Sequence, residues 1–175
     1  MDKQTEEILQ KIEEAEYVLV GLGQEFDMEF FLQSREDYRR IREELQQQNV
    51  LWLLPYVEEQ FRRQYLPEME AEIEKGLQKL AKVLEKKSYF VVSSSLNHKL
   101  AEVPWKKMLL KKERFVAPCG DWTKKQCPDG CEEGIQTVTE ADEEQLQESF
   151  KKLQTNGFSV PDLGKCPKCG KKLVL

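Results

Sequence analysis

Four cysteines in two close pairs constrain this chain more than any other feature: Cys127 and Cys131 in QCPDGC, then Cys166 and Cys169 in KCPKCG. Thiolates three or four residues apart can turn onto one ion, and two such knuckles complete a tetrahedral zinc shell. In the second pair Pro167 and Gly170 frame a tight turn. The backbone amides of such a turn can point at the sulfurs, and glycine accepts the positive φ it needs. Lys124, Lys125, Lys165, Lys168, Lys171 and Lys172 surround the knuckles. A Zn(Cys)₄ centre carries about two negative charges, so this lysine halo opposes its charge and favours thiolate over thiol. Two disulfides or unpaired buried thiols are the alternatives. Four sulfur ligands leave no open position, so the metal expected here is structural and not a Lewis acid.

At 175 residues the chain fits one domain with a smaller appended module. Apolar content of 39% and charged content of 34% describe a surface-rich globular protein with one modest core. No run approaches the roughly 18–20 apolar residues of a membrane span. The start, MDKQTEEILQ, is too charged for a secretory signal. The expectation is a cytoplasmic protein whose cysteines meet a reducing environment, which favours metal over disulfide. The net charge of −5 argues against a nucleic-acid surface, since phosphate neutralisation dominates such binding. The acidic residues between the cysteine pairs, among them Glu132, Glu133, Glu140 and Asp142, would repel phosphate.

Periodicity organises the rest. Ile8, Leu9, Ile12 and Ala15 predict an amphipathic helix over 3–16. Tyr17-Val18-Leu19-Val20 is a continuous apolar run stopped by Gly21-Leu22-Gly23, as expected of a central parallel strand buried on both faces. Residues 34–48 read as a helix with Ser34 as its N-cap. Val50–Leu54 suits a strand or a buried helix, and Pro55 is placed to open the next helix. Residues 68–87 form a helix with Ile73, Leu77, Leu80 and Leu84 on one stripe. Tyr89–Val92 reads as a second strand and 114–117 as a shorter third. Thr139 can cap a helix through Leu146, Phe150 and Leu153, with Gly157 as its stop. The fold class expected is α/β: a partial Rossmann-like parallel sheet with helices over 1–114, then a small four-cysteine zinc-ribbon module over 115–175.

A strand ending in Gly-x-Gly, a strand ending in a small polar run, and a Gly-Asp turn leading into paired cysteines together resemble the sirtuins. YVLVGLG is similar to the family's first Rossmann strand, YFVVSSSLNH to its second motif strand, and CGDWTKKQCPDGC with KCPKCG to its catalytic loop and zinc ribbon. The wording Gly120-Asp121-Trp122, then Gln126-Cys127, is closest to the macrodomain-linked branch, whose known activity is protein ADP-ribosylation. The resemblance implies an NAD-dependent protein deacylase or mono-ADP-ribosyltransferase acting on a protein substrate. It also implies NAD contacts at Gly21, Gly23, Ser93 and Asn97.

The same resemblance marks departures. Gln24-Glu25-Phe26 replaces the stretch that follows the family's glycines. Ser95 stands at the family's Asn position and Asn97 at its Asp position. Cys119 stands where the family has its general base, His, or the branch's Gln. His98, the sole histidine, reads as a surface residue. The sequence stops at Leu173-Val174-Leu175, about where the family's next core segment begins, so a fragment or truncated paralogue is expected. Three hypotheses follow: an NAD-dependent enzyme working through Cys119 and Ser95, a catalytically impaired module that binds a protein or an ADP-ribose-like ligand, and a zinc-ribbon adaptor for nucleic acid or protein unrelated to NAD.

Overall fold

The computed structural model of the chain describes residues 3–23, 26, 29–97, 112–155 and 157–175. Three strands, β1 (Tyr17–Leu22), β2 (Ser88–Ser93) and β3 (Phe115–Val116), form a parallel sheet in the order β1-β2-β3. Tyr17 lies opposite Ser88 and Leu22 opposite Ser93, while Val91 lies opposite Phe115. Parallel neighbours cannot be joined by a hairpin, so a long crossover must leave the sheet and return. Between β1 and β2 that crossover ends in helix α5 (Pro67–Leu84). Leu77, Ala81 and Leu84 recur at helical spacing on α5 and bury against Leu22, Tyr89 and Val91. Each such leucine taken out of water stabilises by about 1.5–3 kcal/mol.

The opposite face of the sheet corrects an expectation. Side chains alternate across a strand, and the odd positions of β1 point away from α5, leaving Tyr17 73% and Leu19 75% exposed. Phe90 and Val116 share that exposed face. β1 is therefore an end strand covered on one side among the described residues, not a central strand buried on both. Its apolar run hid the alternation that polar residues would have revealed.

The helices before α5 build a second, larger core. α1 (Lys3–Glu14) contributes no buried residue to either core; at its end the Lys87 ammonium donates to the carbonyls of Glu13 and Ala15. Then come α2 (Glu29–Gln33), α3 (Glu36–Gln47) and α4 (Leu54–Tyr65). Ser34 does not cap α3: its hydroxyl donates to the Phe31 carbonyl at 2.7 Å, and the N-cap is Arg35, with no side-chain cap bond. Glu36 and Asp37 in the first turn meet the positive helix end instead. Val50–Leu54 is no strand; Leu51–Leu53 form a single 3₁₀ turn that runs into α4, with Pro55 in its first turn as expected.

Tyr38, Ile41 and Leu45 from α3 meet Tyr56, Val57 and Phe61 from α4 in this core. Phe61 sits edge-on to Tyr38 at 5.4 Å and to Phe150 at 5.9 Å between ring centres. α4 also carries charge inside: Arg62 and Glu59 are fully buried and 3.1 Å apart, and the Tyr38 hydroxyl donates to Glu58 at 2.8 Å. Phe150 belongs to the last helix, α6 (Glu140–Gln154), which starts at Thr139 as its sequence predicts. Thr139 and Asp142 form a reciprocal capping box there. The Gly157 amide closes the other end on the Lys152 carbonyl at 2.9 Å. Trp122, Leu163 and Leu173 complete the core. It thus welds residues 32–61 to residues 122–173. Among the described residues no helix is long and apolar enough to cross a membrane.

Candidate metal centre and the cleft beside it

Two short pairings deliver the cysteines. β4 (Lys124–Lys125) pairs antiparallel with β5 (Gln136–Thr137), and Gln126 pairs with Val174 through bonds of 2.7 and 3.0 Å. Lys165 pairs with Lys172 to close the second knuckle. Each knuckle turns on a glycine in the left-handed region, Gly130 at φ 71° and Gly170 at φ 75°. The four Sγ atoms of Cys127, Cys131, Cys166 and Cys169 then lie within 4.8 Å of one another, with Cys127 and Cys169 at 3.5 Å. Zinc–sulfur bonds of about 2.3 Å in a tetrahedron set the sulfurs about 3.8 Å apart. The cluster therefore fits a metal ion with little adjustment.

The thiols sit in different electrostatic settings. Burial works to raise the Cys127 thiol, but the Asp129 and Cys131 amides and the Cys169 and Cys131 side chains outweigh it and bring the thiol down to about 7. Cys131 is pushed up to about 12, first by its hydrogen bond to Cys127 and then by burial. At Cys169 the Lys171 amide lowers the thiol, yet the bond to Cys127 and burial leave it raised. A cation bound by all four sulfurs would hold them as thiolates, and binding would release protons.

The lysine halo divides. Lys171 pairs with Asp129 at 2.7 Å and Lys168 with Glu133 at 3.4 Å, both on the surface. Lys124 donates to Thr137. Lys125 is not part of the halo: it is buried, its ammonium on both Asp142 oxygens at 2.9 and 2.7 Å and on the Leu163 carbonyl at 2.8 Å. The pull of Lys125 and of Thr139 outweighs burial and holds the Asp142 carboxyl below its ordinary range. Gly134 is a second feature that sequence reasoning missed. A Cβ there would stand 2.5 Å from the Cys127 Cβ and 3.0 Å from its backbone nitrogen. No spacing rule announces such an approach. For Lys125 a signal exists, because strand alternation puts it on the same side as Cys127.

Beside the metal module, where the strands of the sheet end, lies a cleft of about 330 Å³. Leu96 after β2, Ala117, Cys119 and Asp121 after β3, and Gln126 and Ile135 from the module line it. Cys119 is exposed, on a turn closed by the Gly120 amide on the Ala117 carbonyl. Ser93, Ser95 and Asn97 are buried and spend polar groups internally. The Ser95 amide donates to the Ser93 hydroxyl, the Asn97 amide to the Ser95 hydroxyl, and the Asn97 side chain to the Phe26 carbonyl at 3.2 Å. His98, Gln24 and Glu25 lie outside the described residues.

The residues expected to meet NAD lie towards the carboxyl ends of two neighbouring strands, Gly21 and Gly23 in and after β1, Ser93 and Asn97 in and after β2. Gly21 lies inside β1, opposite Val92, and a Cβ there would meet nothing within 4 Å. Gly23 accepts from the Phe26 amide. Helix α2 spans Glu29–Gln33, and residues 24, 25, 27 and 28 ahead of it lie outside the described residues. Compared with protein-family models and with curated proteins, the chain matches none.

Proposed function

We propose that the chain is a zinc-clamped, sirtuin-like α/β module in which the metal is structural and NAD-dependent catalysis is impaired. The observation that carries the metal assignment is the convergence of four sulfurs and no other ligand type. An all-sulfur, closed shell suits Zn²⁺ and offers no open position for Lewis-acid chemistry. Three parallel strands, the first two joined through helices, with the cysteine module beside their carboxyl ends, support the Rossmann-like and sirtuin-like reading. The impairment rests on Ser95, whose hydroxyl accepts from the Asn97 amide, on Asn97, whose side chain donates to the Phe26 carbonyl, and on a thiol at Cys119 in place of a base of imidazole pKa. The cleft beside Cys119 remains as a ligand site, and its size falls at the small end of the ligand-pocket range.

The test couples metal analysis to turnover. Protein purified without chelator is expected to carry one zinc per chain and to release no nicotinamide from NAD. Absence of zinc in folded protein would overturn the metal assignment. Nicotinamide release that Cys119→Ala abolishes would overturn the impairment. A second reading, a protein-interaction module without a nucleotide ligand, has its own observation: the open apolar face of Tyr17, Leu19, Phe90 and Val116. Calorimetry separates the two. Saturable binding of ADP-ribose that Cys119→Trp blocks favours the cleft, and silence towards both NAD and ADP-ribose favours the sheet face.

A further inference from the structure

Lys125 and Asp142 form one of the few ion pairs buried on both sides, with side chains 8% and 9% exposed. Burying such a pair costs several kcal/mol of desolvation per ion, and it is tolerated only when the remaining hydrogen-bonding capacity is filled. Here it is filled. The three donors of the ammonium go to Asp142 Oδ1, Asp142 Oδ2 and the Leu163 carbonyl. Asp142 Oδ2 also accepts from the Thr139 amide and hydroxyl at 2.8 and 2.7 Å.

The position of the pair gives it a use. Lys125 stands two residues before Cys127, and Leu163 three residues before Cys166. One ammonium therefore ties the strand entering the first knuckle, the chain entering the second, and the N-terminus of α6 that lies between them in sequence. Neighbouring backbone bonds continue the tie. Gln126 and Val174 exchange two bonds, and the Leu173 amide donates to the Gly164 carbonyl at 3.0 Å. None of these bonds involves sulfur.

We propose that Lys125 and Asp142 are positioning residues for the metal: a metal-independent clasp that brings the two cysteine knuckles into register before the ion binds. The inference rests on the zinc reading for its purpose, though the clasp itself is judged without metal. It converts a site that would have to order some forty residues on binding into one whose sulfurs already stand together. Ordering done in advance is not subtracted from the affinity of the ion.

Asp142→Asn keeps the shape and the acceptor for Thr139, and Lys125→Met keeps the aliphatic stem; both remove the ionic tie. Cobalt(II) titrated into the full-length, zinc-stripped chain reports ligand type through its thiolate charge-transfer band and affinity through competition with a chelator. Both variants are expected to reach the same four-sulfur spectrum at saturation, with affinity reduced about 10–100-fold, the range found for residues behind metal ligands. Affinity equal to that of the native chain in either variant would overturn the clasp. Hydrogen exchange on the metal-free native chain is the second arm, and it stands even where a variant fails to fold. Protection at Gln126, Leu173 and Val174 without metal supports the clasp; exchange there as fast as in an unstructured peptide overturns it. A native chain that shows this protection yet gives no four-sulfur cobalt spectrum would sink the zinc reading and leave the clasp standing.

Discussion

The two cores of this molecule are built on different principles. The smaller one is a helix laid on a sheet: α5 covers one face of β1 and β2, and apolar area with a regular ladder of backbone bonds does the rest. The larger one gathers distant segments, and specific chemistry fixes their geometry: four sulfurs around one point, rings packed edge to face, and buried charges that must find partners. The first arrangement tolerates a change in a side chain as long as volume and polarity are kept. The second fails when one atom is missing, because a metal site or buried pair that loses a member leaves the others unsatisfied. Robust packing thus supports the sheet, and specific side-chain chemistry supports the module that frames the cleft.

The largest test of this contrast is Cys166→Ser. On the zinc reading, metal binding supplies folding energy, so the variant is expected to lose the metal and the order of the two knuckle turns. Metal analysis reads the first. Hydrogen exchange reads the second, with protection lost at Gly130 and Gly170 in the knuckle turns but kept at Val20 and Val91 in the sheet. Retained zinc with an unchanged melting temperature would refute it.

Next in size are cavities. Phe61→Ala in the larger core should cost about 3–5 kcal/mol and Leu84→Ala in the smaller about 2–5 kcal/mol by chemical denaturation. Both side chains are fully buried, and the two cores share no buried residue. The double variant should therefore equal the sum of the singles within about 0.5 kcal/mol. A coupling well above that would mean the cores act as one unit, and the comparison would collapse.

What the sequence made legible follows the same division. The strands, α5, the Thr139 cap and the cysteine knuckles are local patterns, readable from a period of two, a period of 3.6, or a fixed spacing. Three things required knowledge of neighbours remote in sequence. That β1 is an end strand depends on strand order, which no single strand records. That Lys125 turns inward depends on Asp142 seventeen residues later. That residues 32–61 and 122–173 share a core depends on tertiary packing alone. At Ser95 and Asn97 a spacing of two residues also serves local bonds, the Ser95 amide to the Ser93 hydroxyl and the Asn97 amide to the Ser95 hydroxyl, which a motif reading does not announce.

Gly134 offers a sharper probe of the larger core, with a smaller effect. Gly134→Ala places a methyl group against the Cys127 backbone and Cβ, which cannot swing aside as a flexible side-chain end would. Overpacking of this kind costs about 1–3 kcal/mol. Because the strain falls on a ligand, cobalt affinity should drop together with stability. Gly21→Ala, in the sheet, meets nothing within 4 Å and is expected to leave metal affinity unchanged. Equal cobalt affinity in the two variants would show that the knuckle yields more readily than its geometry implies.

The smallest effect lies at the surface of the larger core, and there charge should matter little. Asp37 accepts from Arg35 at 3.0 and 2.8 Å and from the Tyr38 amide at 2.9 Å. The Arg35 guanidinium, ahead of the opposing effect of burial, holds the Asp37 carboxyl below its ordinary value. A carboxyl with a depressed folded pKa contributes stability above its unfolded value, about 3.9, and loses it as the pH falls through the lower folded value. The two side chains remain 35% and 39% exposed, so solvent screens the pair and Asp37→Asn should cost only a few tenths of a kcal/mol at neutral pH. Denaturant midpoints of the two proteins should differ slightly at pH 7 and converge as the pH falls below the ordinary carboxylate range. A penalty above about 2 kcal/mol at pH 7 would mean that this exposed pair behaves like the buried Arg62–Glu59 pair, and that the larger core extends its demand for specific chemistry to its surface.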